Sequence, residues 1–516
     1  MNSEHQTGFG RNFWLLNTIE MFERLAFYNL RVVAPIYIMQ AEDPGGLHLT
    51  AAQKGTIYAW WAAFQSILPV FTGGIADRLG YKRTLVGALG MMLMGYLMIA
   101  FLRDLPWIEN YTGFFMGVLV LATGTAFFKP AIQGTLAHIL DRHNSSVGWG
   151  VFYWVVNVGA FIGHYLPTIF LVYSVIFPEP FYALPHSREA WRNLFLASAA
   201  FTALNLVLLC FFRDVPTGVA KSESYLRVLQ RTVFNIFEPR LLMWIVIMSG
   251  FWLMMFQLWD LQPNFITDWV DSSAAVKQLQ WLPTPIYNLI VAQTPGGPML
   301  YQQAILSLNA LFIILGVVAM SWVTRRMRTL DSMQIGMFMA IGGILVAGLT
   351  RNVWWVIFGI LFFSLGEMLT GPKTSEYLGL IAPKDKKGMY LGYVNIPVGV
   401  GVYVGSKLAG YVYGHYGEKA TLALKYIAEH FQSHGNIKWT GSVKELETIT
   451  GFTRTEAMDA LVRLTGLDPA SATALLWQTY HPQLYIWIPF GVIGLLSAIG
   501  LIVFTRKARK WQDMNA

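Results

Sequence analysis

Charged residues are scarce in this chain. Asp, Glu, Lys and Arg make up 13% of 516 residues, where soluble domains carry about 25%. That deficit excludes an ordinary water-soluble fold, whose surface needs those side chains. Cysteine is nearly absent: the single Cys210 excludes an internal disulfide framework, and in its apolar run it reads as a small packed hydrophobe. The roughly ten-residue alternating segments of a membrane β-barrel are missing. So are H-E-x-x-H, G-x-S-x-G and any cluster with metal-ligand spacing, so neither an enzyme nor a bound metal or cofactor is expected. The opening MNSEHQTGFGRN lacks the basic, apolar and small-residue order of a cleavable signal peptide.

What is present is hydrophobic length. Apolar residues reach 55% and aromatics 15%. About twelve stretches approach the roughly 20 residues that cross a bilayer. They cover 13–40, 52–76, 84–102, 112–138, 148–174, 193–212, 241–268, 303–324, 333–350, 353–381, 389–415 and 484–505. The predicted fold is therefore an all-α integral membrane protein of twelve transmembrane helices. The net charge of +8 does not point to nucleic acid, because its distribution is lopsided. Arg78, Lys82, Arg83, Arg142, Arg325, Arg326, Arg328, Lys384, Lys386, Lys387 and the basic tail Arg506–Lys510 lie on one side of the spans. The positive-inside rule places that side, with both termini, in the cytoplasm, and the expected home is a bacterial inner membrane.

Even spacing predicts two six-helix bundles, 1–212 and 241–516, joined by a charged cytoplasmic linker at 213–240. Two connections on the opposite side are long, at about 269–301 and 416–482. The second reads as small helices: Ser442 with Glu445 and Thr453 with Glu456 match capping boxes, and Asp468-Pro469 matches an N-cap followed by proline. This insert is either a rigid cap on the mouth or a lid or docking surface.

Charges inside apolar spans carry the chemistry, because each costs about 2.5–3.5 kcal/mol at the bilayer centre on insertion scales. In the first span, Glu20, Glu23, Arg24, Tyr28 and Arg31 fall along one helical stripe, which is either a functional face of a cavity or a structural ion-pair cluster that locks the helix. Lys129 in the fourth span and Glu367 in the tenth each stand within an apolar run, one per half. A pair between them would bridge the halves and gate access. Asp260 is either a second gate acid facing Arg31 or a residue near the membrane surface. His164 is either a proton relay or, as a single packed histidine more often is, structural, and Lys407 is left without a role. Asn157, Gln257 and Asn309 either bind substrate or hold helices together.

These residues sit in familiar motifs. EMFERLAFYNLR, containing Glu20, Glu23, Arg24, Tyr28 and Arg31, resembles the first-helix signature of proton-dependent oligopeptide transporters of the major facilitator superfamily. GGIADRLGYKRT, with Asp77 and Arg78, resembles the superfamily's general loop. FFKPAIQG, FYWVVNVGAF, QQAILSLNALFIIL and SLGEMLTGPKTSEYLGLIAPKDKKGMYLG are similar, in order, to motifs of the fourth, fifth, eighth and tenth helices. The resemblance implies a proton-coupled symporter of di- and tripeptides, with protons, membrane lipids and a small-molecule substrate as its partners. It implies proton coupling through Glu20, Glu23, Arg24 and Glu367. Arg31 and Lys129 would receive a substrate carboxylate and Glu367 an amino group. The alternative is a carrier of another small zwitterion or organic anion on the same fold. The chain departs from the family pattern at Ser66, Phe256 and Val394, where the family usually carries a tyrosine, an acid and an aromatic.

Overall fold

A computed structural model describes residues 9–140, 145–214, 230, 234–294, 296–325, 327–382, 390, 392–431, 439 and 441–510. Among the described residues twelve helical spans run back and forth, so Arg11 at the start of the first and Lys510 at the end of the last lie at the same end of the bundle. The opposite end is called the far end below. Seven spans are single helices: Tyr81–Phe101, Asn110–Ile139, Arg188–Cys210, Gln302–Thr324, Thr329–Gly348, Val353–Ile381 and Asn395–Tyr416. The twelfth span, Pro482–Lys510, is also continuous. By length and composition eight helices among the described residues are apolar enough to cross a membrane. The first span falls short of that measure because of its charges.

The other four spans, expected as continuous, are broken. The first restarts as Ala34–Met39 after Arg11–Arg31, and the second as Pro69–Leu79 after Ala51–Ile67. The fifth restarts as Leu166–Leu171 after Ser145–Gly163. The seventh runs as Pro239–Met255, Gln257–Asp260 and Gln262–Trp269. Pro35, Pro69, Pro167 and Pro263 stand at the start of the restarted pieces. Proline lacks the N–H that would continue the ladder, and its ring meets the carbonyl four residues back.

The first six spans pack on one another, as do the last six, and the second span packs along the eleventh to join the halves. That seam is narrow because glycines face backbone. A Cβ on Gly410 would stand 2.6 Å from the Ala51 carbonyl oxygen and 3.2 Å from the Cα of Gly55. Hydrogen bonds between the halves cluster at the far end. Gln302 donates to the Val32 carbonyl at 2.9 Å, Asn264 to the Pro35 carbonyl at 3.1 Å and Lys407 to the Thr56 hydroxyl at 2.7 Å.

The two long connections are structured. The first holds the short helices Ser273–Gln278 and Thr284–Ile290, then an antiparallel hairpin of Val291–Thr294 with Gly297–Leu300. The second folds as Lys419–Phe431, Val443–Thr450, Ala457–Thr465 and Pro469–Tyr480, the small helices its sequence suggests. Asp468 accepts from the amides of Ala470 and Ser471 at 3.0 Å, as an N-cap should. Glu456 closes half of its box by accepting from the Thr453 amide at 3.0 Å, whereas the Ser442 side chain makes no cap bond. Cys210 is exposed at the end of the sixth span rather than packed. The expected linker at 213–240 falls largely outside the described residues, as does the Asp77 side chain.

Candidate functional site

Between the halves lies a cavity of about 210 Å³, many times the roughly 10–15 Å³ that one water needs on the same measure. The first half lines it with Arg24, Phe27, Tyr28 and Arg31 from the first span, Gln65 and Ser66 from the second, and Lys129 from the fourth. The second half supplies Trp252, Phe256 and Trp259 from the seventh span, Phe363 and Glu367 from the tenth, and Asn395 from the eleventh. One wall is thus cationic and the other is aromatic with a single acid.

The stripe on the first span is an ion cluster. Arg24 stands 3.3 Å from a Glu20 oxygen, one helical turn away, and also binds the Glu23 carboxylate. Glu20 Oε2 and Glu23 Oε1 are buried with no donor among the described residues. Arg31 lies over the rings of Tyr58 and Trp61, at 4.2 and 4.5 Å. Such stacking on aromatic faces holds a guanidinium while leaving its donors free.

Lys129 and Glu367 share the cavity, but in this conformation no ion pair joins them. Glu367 accepts instead from the Asn309 amide at 3.0 Å, and that amide also reaches the Ser364 hydroxyl at 3.0 Å. Asn309 therefore orients the acid from behind. Asn157 and Gln257 donate to carbonyls of their own helices, Tyr153 at 2.9 Å and Leu253 at 2.7 Å, and neither lines the cavity. His164 is packed, its Nδ1 donating to the Ala160 carbonyl at 2.6 Å and its ring stacked on Tyr28 at 5.3 Å.

A different, deeply buried ion pair joins the halves. Lys54 of the second span meets Asp260 of the seventh at 2.8 Å, with both side chains at most 2% exposed. Lys54 also donates to the Asp260 carbonyl at 2.5 Å and to Asn264 Oδ1 at 3.1 Å, while Ser406 donates to Asp260 Oδ2 at 2.6 Å. Asp260 thus faces a lysine and not Arg31. Sequence reasoning passed over Lys54 because it sits in the first turn of its helix. There the capping box of Thr50 and Gln53 makes a lysine look like an interface anchor.

With this geometry in place, the chain's relationships have a structural meaning. The chain belongs to the Major Facilitator Superfamily, whose model matches residues 17–269 and 278–428. It is a multi-pass integral membrane protein and a secondary transporter rather than an enzyme. Among relatives, it is 22% identical over 406 residues to multidrug resistance protein MdtH of Yersinia enterocolitica, covering 78% of this chain and 86% of that protein. To MdtH of Proteus mirabilis it is 21% identical over 351 residues, covering 68% and 75%. Its fold is similar to that of a POT family transporter crystallised with a thioalcohol-conjugated peptide, at TM-score 0.64 and 16% identity over 96% of each chain. It is also similar to the nucleoside transporter NupG, at TM-score 0.65 and 10% identity, covering 96% of this chain and 100% of that one.

Proposed function

We propose that this chain is a proton-coupled symporter of short peptides, working by alternating access in a bacterial inner membrane with both termini in the cytoplasm. The observation that carries the reading is the split of charge across the cavity. Arg31 and Lys129, neither of them in an ion pair among the described residues, face it from one half, and Glu367 faces it from the other. A zwitterion spans such a cavity with its carboxylate toward the cations and its amine toward the acid. The Arg24 cluster supports proton coupling. Glu20 and Glu23 bring two negative charges to one guanidinium, and one proton on a carboxyl balances the group at a depth where surplus charge is costly. The far end is closed, and with cytoplasmic termini it is the outer end.

Proteoliposome uptake of a di- and tripeptide panel under an imposed pH gradient tests this. Uptake is expected to follow the gradient, and uptake indifferent to collapsing it sinks proton coupling. Blocking either peptide terminus removes a charge-assisted hydrogen bond of about 1.5–3 kcal/mol, so amidated or N-acetylated peptides should bind roughly ten- to a hundredfold more weakly. Equal binding of blocked and free peptides rules out the split-charge geometry. The aromatic wall of Trp252, Phe256 and Trp259, together with relatives called multidrug resistance proteins, favours a second reading as a carrier of other small organic solutes. Uptake competed by aromatic drugs and untouched by peptides would select it.

A further inference from the structure

The helical insert after the eleventh span grips the other half of the molecule. Its root belongs to the second half: Trp269 donates to the Gly417 carbonyl at 2.8 Å, and Asp268 accepts from the Tyr413 hydroxyl at 2.6 Å and the Lys419 amide at 3.4 Å. Opposite it, residues 40–50 form a shelf fixed to the first half. There Asp43 accepts from Trp191 Nε1 at 2.9 Å, and Arg103 donates to the carbonyls of Gly45 and Gly46.

Four contacts cross between the halves here, three made by the insert and one by Asp268 of the seventh span at its root. Arg454 donates to the carbonyls of Leu49 at 3.1 Å and Met39 at 3.4 Å. Gln40 donates to Asp268 at 3.0 Å, and Lys419 meets Glu42 at 3.3 Å. The seam is tight, with a void of only about 10 Å³ between the two sides, room for about one water.

The charge on Arg454 is answered on its own side. Glu418 lies 3.0 Å from it, with both side chains nine-tenths or more buried, and Thr421 donates to Glu418 at 2.5 Å. When the seam parts, Arg454 and Glu418 leave together. Water replaces the bonds of Arg454 to the two carbonyls, and neither Arg454 nor Glu418 is left without its counter-ion. The Lys54–Asp260 pair behaves differently, because its partners lie on opposite halves. A contact that releases without stranding charge suits a seam that opens in every cycle.

We propose that the insert is a moving lip of the far-end gate, with Arg454 latching it to the first half in the closed state and letting go when the far end opens. The proposal rests on the alternating-access reading but not on the identity of the substrate.

Distances between paired spin labels test it, in a Cys210→Ser background and without substrate. Labels in place of Glu109 and Lys277 report the separation of the halves. Labels in place of Glu109 and Gln478 report the separation of the insert from the first half. Arg454→Gln is expected to raise the far-open to far-closed ratio about tenfold on both pairs, as the loss of one charge-assisted hydrogen bond implies. Gln40→Ala, on the opposite lip, should move both pairs the same way by less, and it stands as the test if Arg454→Gln does not fold. Parental distances in the folded variants overturn the proposal. So does lengthening of the insert pair alone, which makes the insert a passive cap. Failure here leaves the peptide reading intact, since that reading falls only on uptake and binding.

Discussion

Removing one member of the Lys54–Asp260 pair leaves the other charge buried without its counter-ion, which typically costs about 3–5 kcal/mol. Lys54→Gln and Asp260→Asn should each lower thermal stability in the far-closed state. The double replacement should recover part of the loss, with a coupling energy of about 1 kcal/mol or more in a double-mutant cycle. Single effects that add to within about 0.5 kcal/mol would mean that the pair does not hold the halves together. The first span offers a second test at this scale. Replacing Glu20 or Glu23 by Gln removes a titratable carboxyl while keeping its shape. Gradient-driven uptake should vanish and gradient-independent exchange survive, and loss of both activities would assign these residues to folding instead. The cluster of Glu20, Glu23 and Arg24 was legible in the sequence because charges at helical spacing in an apolar span have few places to point. Lys54 was not legible, since its partner lies 206 residues away and nothing local announces it. Asn157 and Gln257 were ambiguous for a related reason: an amide in a membrane helix finds its own carbonyls as readily as a ligand.

The seam between the second and eleventh spans is set by glycine. Any side chain at position 410 must push against the backbone of the second span, since even a Cβ would sit 2.6 Å from the Ala51 oxygen. Backbone cannot move aside as a flexible side chain does, so Gly410→Val should hold the far mouth open. A cysteine placed at Thr56, beside the Lys407 contact, reads this out in a Cys210→Ser background. Its modification by a membrane-impermeant thiol reagent should speed up in the Gly410→Val variant, and transport should fall. An unchanged labelling rate with full transport would show that the seam closes without close backbone approach. At this scale the sequence was informative about where spans lie and less so about their breaks. Hydrophobic length runs straight through Val33, Leu68 and Leu261, and the prolines that interrupt the ladder occupy single positions. Pro130 and Pro372 sit inside helices that stay continuous, so proline alone does not reveal which spans divide.

Alternating access requires that contacts made at one end of the molecule be exchanged for contacts at the other. In this conformation the exchange is half visible: Lys54 and Asp260 are joined at the far end, while Lys129 and Glu367, set deeper along the cavity, are apart. A single sequence cannot say which of two pairs is made in a given state, because both have the same signature of one buried charge per half. On the alternating-access reading proposed above, the fourth and tenth spans approach at the other end when the far end opens, and Lys129 then meets Glu367 across the cavity. The coupling between them should therefore depend on state. A double-mutant cycle of Lys129→Gln and Glu367→Gln on thermal stability should give less than about 0.5 kcal/mol in the parent chain. In the Gly410→Val background, held far-open, the same cycle should exceed that value, and the double variant should be more stable than either single one. No coupling in either background would mean that the two residues serve only the substrate. Coupling of equal size in both would mean that they meet through the whole cycle, and of the two pairs only Lys54–Asp260 would then break as the far end opens.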